Sequence, residues 1–411
     1  MPTWSPPTSA VLGVALFVLS WALLHEGFYE RDQIVDTPIY ERYGEAMVDG
    51  EVPYRDFRVE YPPAALPVFL LPELGGEYRA GFEGLMAALG VALVLLVAAA
   101  GPWWAPLAVG VSPLLLGSVV LTRFDLWPAA LAAAALVLLL AGRPRLGLGA
   151  LGVAAAAKIY PALLAPLLVA HLWKTRGRRE AVIGAGVFLG AAVAILLPFV
   201  ALAPGGVWDS LRVQAERPLQ IESLGAGLLL AARQAFGLDL TMESSHGSQN
   251  LAGGAADSLA VVTTLLQVAA VVAVWVWYAR GPADRDRLLR ACAAAVCAFV
   301  AFGKVLSPQF LIWLIPLVVL VRGRRGLLAS GVLAAALVLT QLWFPYRYWE
   351  LALEFDALAS WLVLVRDLTL VALVGVLTLP AAAERARSWS PARLRRTRRD
   401  SPRAGRRPAP S

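Results

Sequence analysis

Asp36 stands at the front of the segment DTPIYERYGEAMVDG, and three cations, Arg123, Lys158 and Lys304, each close an apolar run, in TRFD, AAAAKIYP and GKVLSPQ. A carboxylate in that position has two uses: it caps the first turn of a helix, or it takes a proton from a hydroxyl group. A cation ending an apolar run either snorkels to lipid headgroups or points into an internal cavity. Lys158 is the most telling of the three, because it sits at the apex between two short runs. Asp32, four residues before Asp36, is the substitute carboxylate. Asp125, Arg217 and Gln309 add polar groups to the set, Arg217 reading first as a solvated loop charge. Tyr40, Tyr61, Tyr160 and Trp313 can stack on a ring or join an interfacial aromatic belt. Spacing alone leaves these choices open.

The elements that must position these residues belong to a membrane protein. Hydrophobic residues make up 59% of the chain, charged residues 16%, and the mean hydropathy is +0.66, which excludes a soluble domain with a polar surface. Runs such as FEGLMAALGVALVLLVAAAG meet the roughly 20 apolar residues that a spanning helix needs. They are continuously apolar rather than alternating, which excludes a barrel. The expectation is an all-α integral membrane protein with about twelve spans, near 8–25, 82–100, 105–121, 126–142, 146–157, 160–173, 181–201, 257–278, 291–306, 309–321, 327–343 and 359–380. The fifth and sixth runs are short and read as a bent or incompletely crossing pair around Pro161. The N-terminus carries no Lys or Arg before its apolar run and no cleavage motif after it, so the first run reads as a retained helix.

Basic clusters at 143–145, 174–179, 279–290 and 322–325, with the tail from Arg385, set the sidedness, since short cytoplasmic loops retain Lys and Arg. Both termini are then cytoplasmic. Segments 26–81, 122–125, 202–256, 303–309 and 344–356 face outward and hold most of the acidic residues. Two of these loops are longer than connection requires, a feature more often of function than of scaffold.

Within the first loop, residues 36–50 read as a short surface helix. Asp36 or Thr37 is its N-cap, Pro38 lies in its first turn, Ile39, Tyr43, Ala46 and Met47 form its apolar stripe, and Asp49-Gly50 closes it. EVPYRDFRVEYPP has no helical period and reads as extended; AALPVFLLPEL reads as a second surface or re-entrant helix. Cys292 and Cys297, five apart in an apolar helix, read as small reduced hydrophobes, and His25, His171 and His246 as separate interfacial or loop residues. Neither a metal nor a cofactor is expected.

DTPIY, GEVPYRDF and EYPP in the first loop, RFD after the third helix, KIYP, and SPQFLIWLIP late in the chain occur in one order on one face. In that order they resemble glycosyltransferase family 87, the polyprenyl-phosphate-mannose-dependent enzymes of the GT-C superfamily, over residues of about 10–380. The resemblance implies a hexosyltransferase of the cell membrane using a polyprenyl-phosphate-linked sugar donor and a lipid or glycan acceptor. It further implies an active site on the external face, inversion at the anomeric carbon, and a catalytic carboxylate in the first external loop. On that basis Asp36 is the expected base, with Asp32 as substitute. Arg123, Lys158 and Lys304 are the expected donor-phosphate contacts, and Tyr40, Tyr61, Asp125, Tyr160, Arg217 and Gln309 the expected sugar or acceptor contacts.

Residues 1–383 form the expected transferase domain, and 384–411 an Arg-rich, disordered cytoplasmic tail suited to anionic headgroups. Its charge needs no nucleic-acid partner. A polytopic lipid or glycolipid transporter or flippase is the alternative, and it calls for internal repeats that are not evident. A membrane scaffold would not require Asp36, Lys158 and Lys304 together.

Overall fold

Apolar backbone in lipid satisfies its hydrogen bonds within helices, and helices dominate this chain. The computed structural model describes residues 6–31 and 33–379. In order these helices are α1 (Pro6–Leu23), α2 (Thr37–Val48), α3 (Leu66–Glu73), α4 (Tyr78–Ala100), α5 (Ala105–Leu116), α6 (Val119–Thr122), α7 (Leu126–Leu140), α8 (Pro144–Ala157), α9 (Ala165–Arg176), α10 (Arg178–Leu202), α11 (Pro204–Ala215), α12 (Leu224–Phe236), α13 (Gly254–Arg280), α14 (Arg285–Phe302), α15 (Phe310–Val319), α16 (Gly323–Gln341) and α17 (Ala357–Thr378). Residues to Leu377 form one unit; of the second, only Thr378 and Leu379 are described. The expected tail at 384–411 and its boundary lie outside the described residues.

Every expected membrane segment contains a helix, but helix length does not establish twelve crossings. Five helices, α4, α10, α13, α16 and α17, are long and apolar enough to cross a membrane by themselves. The protein is therefore a multi-pass membrane protein. α15 has only 10 residues, about 15 Å at 1.5 Å per residue, half of a hydrocarbon core roughly 30 Å thick. α8 and α9 are likewise short, joined by a 3-10 turn at Tyr160–Leu164 that contains Pro161.

Burial separates the bundle into lipid-facing and central helices. None of the most apolar window of α10 is buried, and only 17% of that of α13. Val182, Leu189, Val193 and Leu197 point outward along α10. In water this would be a large adhesive patch; in a bilayer it is the face that matches the solvent. α14 and α15 are enclosed instead, with Ala291, Ala293, Ala294, Ala295 and Ala298 letting neighbours approach closely. Cys292 and Cys297 are free and buried in this same helix. Where α1 meets α4, a side chain on Gly90 would enter the ring of Phe17.

The connecting loops depart from an all-helical description. Leu219–Gln220 (β1), Thr241–Ser245 (β2) and Ser248–Ala252 (β3) form a small antiparallel sheet in the order β1-β3-β2. Its hairpin turns at His246 and Gly247, with φ of +54° and +67°, the positive pair that suits right-twisted strands. α12 also lies in this loop, started by Ser223, whose hydroxyl accepts from Ala226 N, and ended by Gly237 at φ +72°.

In the first loop α2 is present, but its buried face is rotated from the expected stripe. Thr37, Tyr40, Tyr43 and Gly44 are buried, and Ala46 and Met47 only partly. The reason is that α2 lies on protein: a side chain on Gly44 would stand 2.7 Å from the carbonyl oxygen of Phe69 in α3.

Candidate active site in the loop layer

The polar loops contact one another across the ends of the bundle. Gln220 N donates to Lys304 O at 3.0 Å, Gln234 Nε2 to Phe355 O at 2.6 Å, and Tyr346 OH to Phe28 O at 2.9 Å. Trp127 Nε1 donates to Ala64 O at 3.0 Å, tying the start of α7 to the first loop. This layer places the three residues between α6 and α7 among groups distant in sequence.

Arg123 follows α6 in extended conformation, φ −125° and ψ 138°. Its Nη1 lies 3.1 Å from Asp36 Oδ1, with the Arg123 side chain 6% exposed and that of Asp36 25%. Asp36 holds the position before α2, yet its side chain makes no capping bond. Its other oxygen accepts from Tyr40 OH at 3.4 Å. The expectation of a capping aspartate is therefore not what the local geometry contains. Burial works against the Arg123 guanidinium, but the Asp36 carboxylate holds it above its ordinary value. Asp32 lies outside the described residues.

Two residues on, Asp125 is buried at the start of α7 and accepts two bonds on Oδ1, from Lys158 Nζ at 2.6 Å and from Trp313 Nε1 at 2.5 Å. Among the described residues Oδ2 has no partner. Lys158 reaches this position because α8 ends at Ala157 and the next residue turns extended. Burial pulls its ammonium below the ordinary lysine range, while Asp125 and Asp36 oppose that pull.

Aromatic rings fill the space between the two ion pairs. Lys158 Nζ sits 4.6 Å from the Phe124 ring centroid, 5.2 Å from Trp313 and 5.8 Å from Tyr61. Tyr40 packs on Phe69 at 4.6 Å and meets Phe124 at 5.7 Å; Tyr61 meets Phe124 at 4.8 Å. Burial raises the Tyr40 and Tyr61 phenols well above the usual tyrosine value, so both are neutral donors. On the far side Trp313 stacks between Tyr160, 4.2 Å away at 6°, and Phe310, 4.1 Å away at 21°.

Asp36, Tyr40, Tyr61, Arg123, Asp125, Lys158, Tyr160 and Trp313 thus form one continuous cluster. Lys304 is elsewhere: its Nζ donates to Ala215 O at 2.8 Å and borders a pocket of about 260 Å³ with Ala260, Val261, Thr264 and Leu265. Gln309 accepts from Ser307 Oγ at 2.5 Å, one residue before Phe310. Arg217 donates to Gln214 Oε1 at 3.4 Å, and its buried Nε has no partner among the described residues. Among the described residues no group of three or more His, Cys, Asp and Glu side chains could hold a metal ion.

Sequence reasoning missed Glu222. It is 1% exposed, accepts from Gln220 Nε2 at 2.5 Å, and burial pushes its carboxyl up to about 8 against the pull of Arg366, Arg123 and Arg217. The neighbouring pair of Arg366 and Asp367 is fully buried at 2.6 Å in α17, and Arg366 Nη2 donates to Glu222 O at 2.7 Å. A glutamate just before the capping Ser223 carries no signal of burial, whereas the charged pair in an apolar run does.

Helices with apolar faces turned to lipid, and a buried cluster of paired carboxylates, cations and aromatic rings in the loops between them, define a multi-pass membrane protein with an enzyme-like polar site. The sequence model of glycosyltransferase family 87 matches residues 60–308, more than half of the chain, and the protein belongs to that family. It is a membrane glycosyltransferase. The matched residues include Tyr61, Arg123, Asp125, Lys158, Tyr160, Arg217 and Lys304, while Asp36, Tyr40, Gln309 and Trp313 fall outside them. No curated protein matches the chain by sequence.

Proposed function

We propose that the protein transfers a hexose, mannose in this reading, from a polyprenyl-phosphate-linked donor to a lipid or glycan acceptor on the external face of the cell membrane, inverting the anomeric carbon. One observation carries the reading. Asp36 occupies a capping position without capping, and presents its carboxylate to Arg123 at 3.1 Å beside a second cation-carboxylate pair.

In the step proposed, the acceptor oxygen forms a bond to the anomeric carbon from the side opposite the donor phosphate. The bond from that carbon to the phosphate oxygen breaks, and its electron pair leaves with the polyprenyl phosphate. Asp36 takes the hydroxyl proton. Arg123 and Lys158 are assigned to stabilise the departing phosphate. Lys304, outside that cluster and beside the apolar Val261 and Leu265, is assigned to the donor phosphate as it arrives along α13 rather than at the reacting position. Tyr40, Tyr61, Asp125, Tyr160, Arg217 and Gln309 are assigned to sugar or acceptor contacts. The choice of mannose rests on the family resemblance.

The test is an assay of membranes containing the protein with radiolabelled polyprenyl-phospho-mannose, -glucose and -arabinose. Transfer from the mannosyl donor to a lipid or glycan product is expected; transfer from a nucleotide sugar only would reject the donor class. Sidedness has its own test, with single cysteines introduced near residues 50, 245 and 283. An impermeant thiol reagent applied from outside should label the first two and spare the third, and the reverse pattern would place the site on the cytoplasmic face.

A further inference from the structure

Beside the cluster lies a second cavity, of about 380 Å³, between the extended segment of the first loop, α11 and the β2–β3 hairpin. Arg58 and Glu60 line it on one side, Ser210 on another, and Ser245 and His246 on the third. Ligand sites run from about 300 to 1,000 Å³, so this one suits a small head group.

Its walls are built rather than incidental. Asn250 Nδ2 donates to Ser245 O at 2.9 Å and to Ser245 Oγ at 3.1 Å, bracing the turn that carries His246. His246 is held at φ +54°, a conformation few side chains adopt, and such positions persist where the surroundings enforce them. Gln214 Nε2 donates to Glu60 O at 3.5 Å, joining α11 to the opposite wall. At that wall a side chain on Gly206 would collide with the carbonyl of Tyr54, so the N-terminal turn of α11 fits against the loop only without one.

The extended first-loop segment that walls the cavity runs straight on into the cluster. Glu60 lines it, while the next residue, Tyr61, places its ring against Phe124 and Tyr40. The Glu60 carboxyl, raised by burial, is within electrostatic reach of Asp36.

Resting on the transferase reading above, we infer that this cavity binds the acceptor, and that the acceptor presents a neutral, hydroxyl-rich head group, a sugar or other polyol. A guanidinium, a carboxylate, two hydroxyls and an imidazole offer both donors and acceptors, which a polyol can pair with. A bare anion would meet Glu60 and a bare cation would meet Arg58.

The experiment uses the full chain in lipid nanodiscs free of glycoside detergent, with methyl α-mannoside as the probe in saturation-transfer NMR. Wild type and Asp36→Asn should both bind it. Ser210→Val and His246→Asn should weaken binding by about tenfold, the equivalent of roughly one hydrogen bond. Asparagine tolerates the left-handed turn, so His246→Asn removes the ring and keeps the hairpin. In the transfer assay the same two variants should raise the acceptor KM about as much, and the donor KM by less than about twofold. No binding by wild type, equal binding by the variants, or displacement of the mannoside by inorganic phosphate would each overturn the inference. Loss of all donor use with binding and its variant pattern intact would reject the transferase reading and leave the cavity a polyol site.

Discussion

Lys174 donates to the carbonyls of Tyr278, Ala279 and Gly281 at 3.2, 2.6 and 2.8 Å, and Arg322 reaches Ala100 O at 3.1 Å. Arg123 and Lys158, in the other loop region, meet carboxylates among aromatic rings and are almost wholly enclosed. The first arrangement is a helix-end device, since the last carbonyls of a helix lack partners and carry partial negative charge. It needs only a flexible cation and water nearby. The second takes charge out of water, which stabilises a fold poorly and holds a reactive geometry well. Cations of one type in one molecule therefore differ in use according to whether a carbonyl or a carboxylate receives them.

The largest effect that would break this contrast is at Asp36. Asp36→Asn should express and insert normally but lose roughly 10²–10⁴ in turnover, read from initial rates at saturating donor. Asp32→Asn is the control and should be milder; near-wild-type transfer by Asp36→Asn with collapse of Asp32→Asn would shift the base upstream. Lys158→Met should lower donor use by about 10²–10³ and, by leaving Asp125 buried and unpaired, destabilise the protein by about 3–5 kcal/mol. Adding Asp125→Asn should restore thermal stability in detergent without restoring donor use. Equal recovery of both would make the pair structural.

A pH experiment sharpens the contrast further. Glu222 sits in the loop layer with its carboxyl raised to about 8. Its neutral form is favoured by the fold, so this contribution is complete below the ordinary glutamate pKa and is lost as pH rises through about 8. The apparent melting temperature should fall across that window by the equivalent of up to about 5 kcal/mol. Glu222→Gln should flatten the fall, and a wild-type melting temperature constant from acid to alkaline pH would reject the assignment. Smallest of all should be Arg322→Gln in the carbonyl-bound region. There turnover should stay within about twofold and stability change by about 1 kcal/mol, the worth of one part-buried hydrogen bond. A collapse of transfer in this variant would erase the distinction between the two regions.

The helices were legible because apolar runs have one backbone solution in lipid; Arg123 and Lys158 stood out because each closes an apolar run, and Asp36 because it heads a short helical segment in a polar loop. The convergence of Lys304 with them was not met, since its ammonium turns to Ala215 O instead. The rotated face of α2 was hidden for a different reason. Its stripe was read for a membrane surface, while Tyr40 and Gly44 face α3 and the aromatic cluster. The sheet escaped because its strands are short and polar, and the His246-Gly247 step that joins two of them is not one of the usual hairpin pairs. Glu222 and the cavity at His246 depend on contacts between loops far apart in sequence, which no local pattern encodes.

The stack of Tyr160, Trp313 and Phe310 has a consequence for how tightly a substrate can be held. Three flat rings at 4.1 and 4.2 Å leave each other few rotamers, and the central indole pins the carboxylate of Asp125. Ordering such side chains during binding costs about 0.5–1.5 kcal/mol apiece. Here that entropy is lost when the chain folds, so an incoming ligand meets groups already arrested in place and keeps more of its contact energy as affinity.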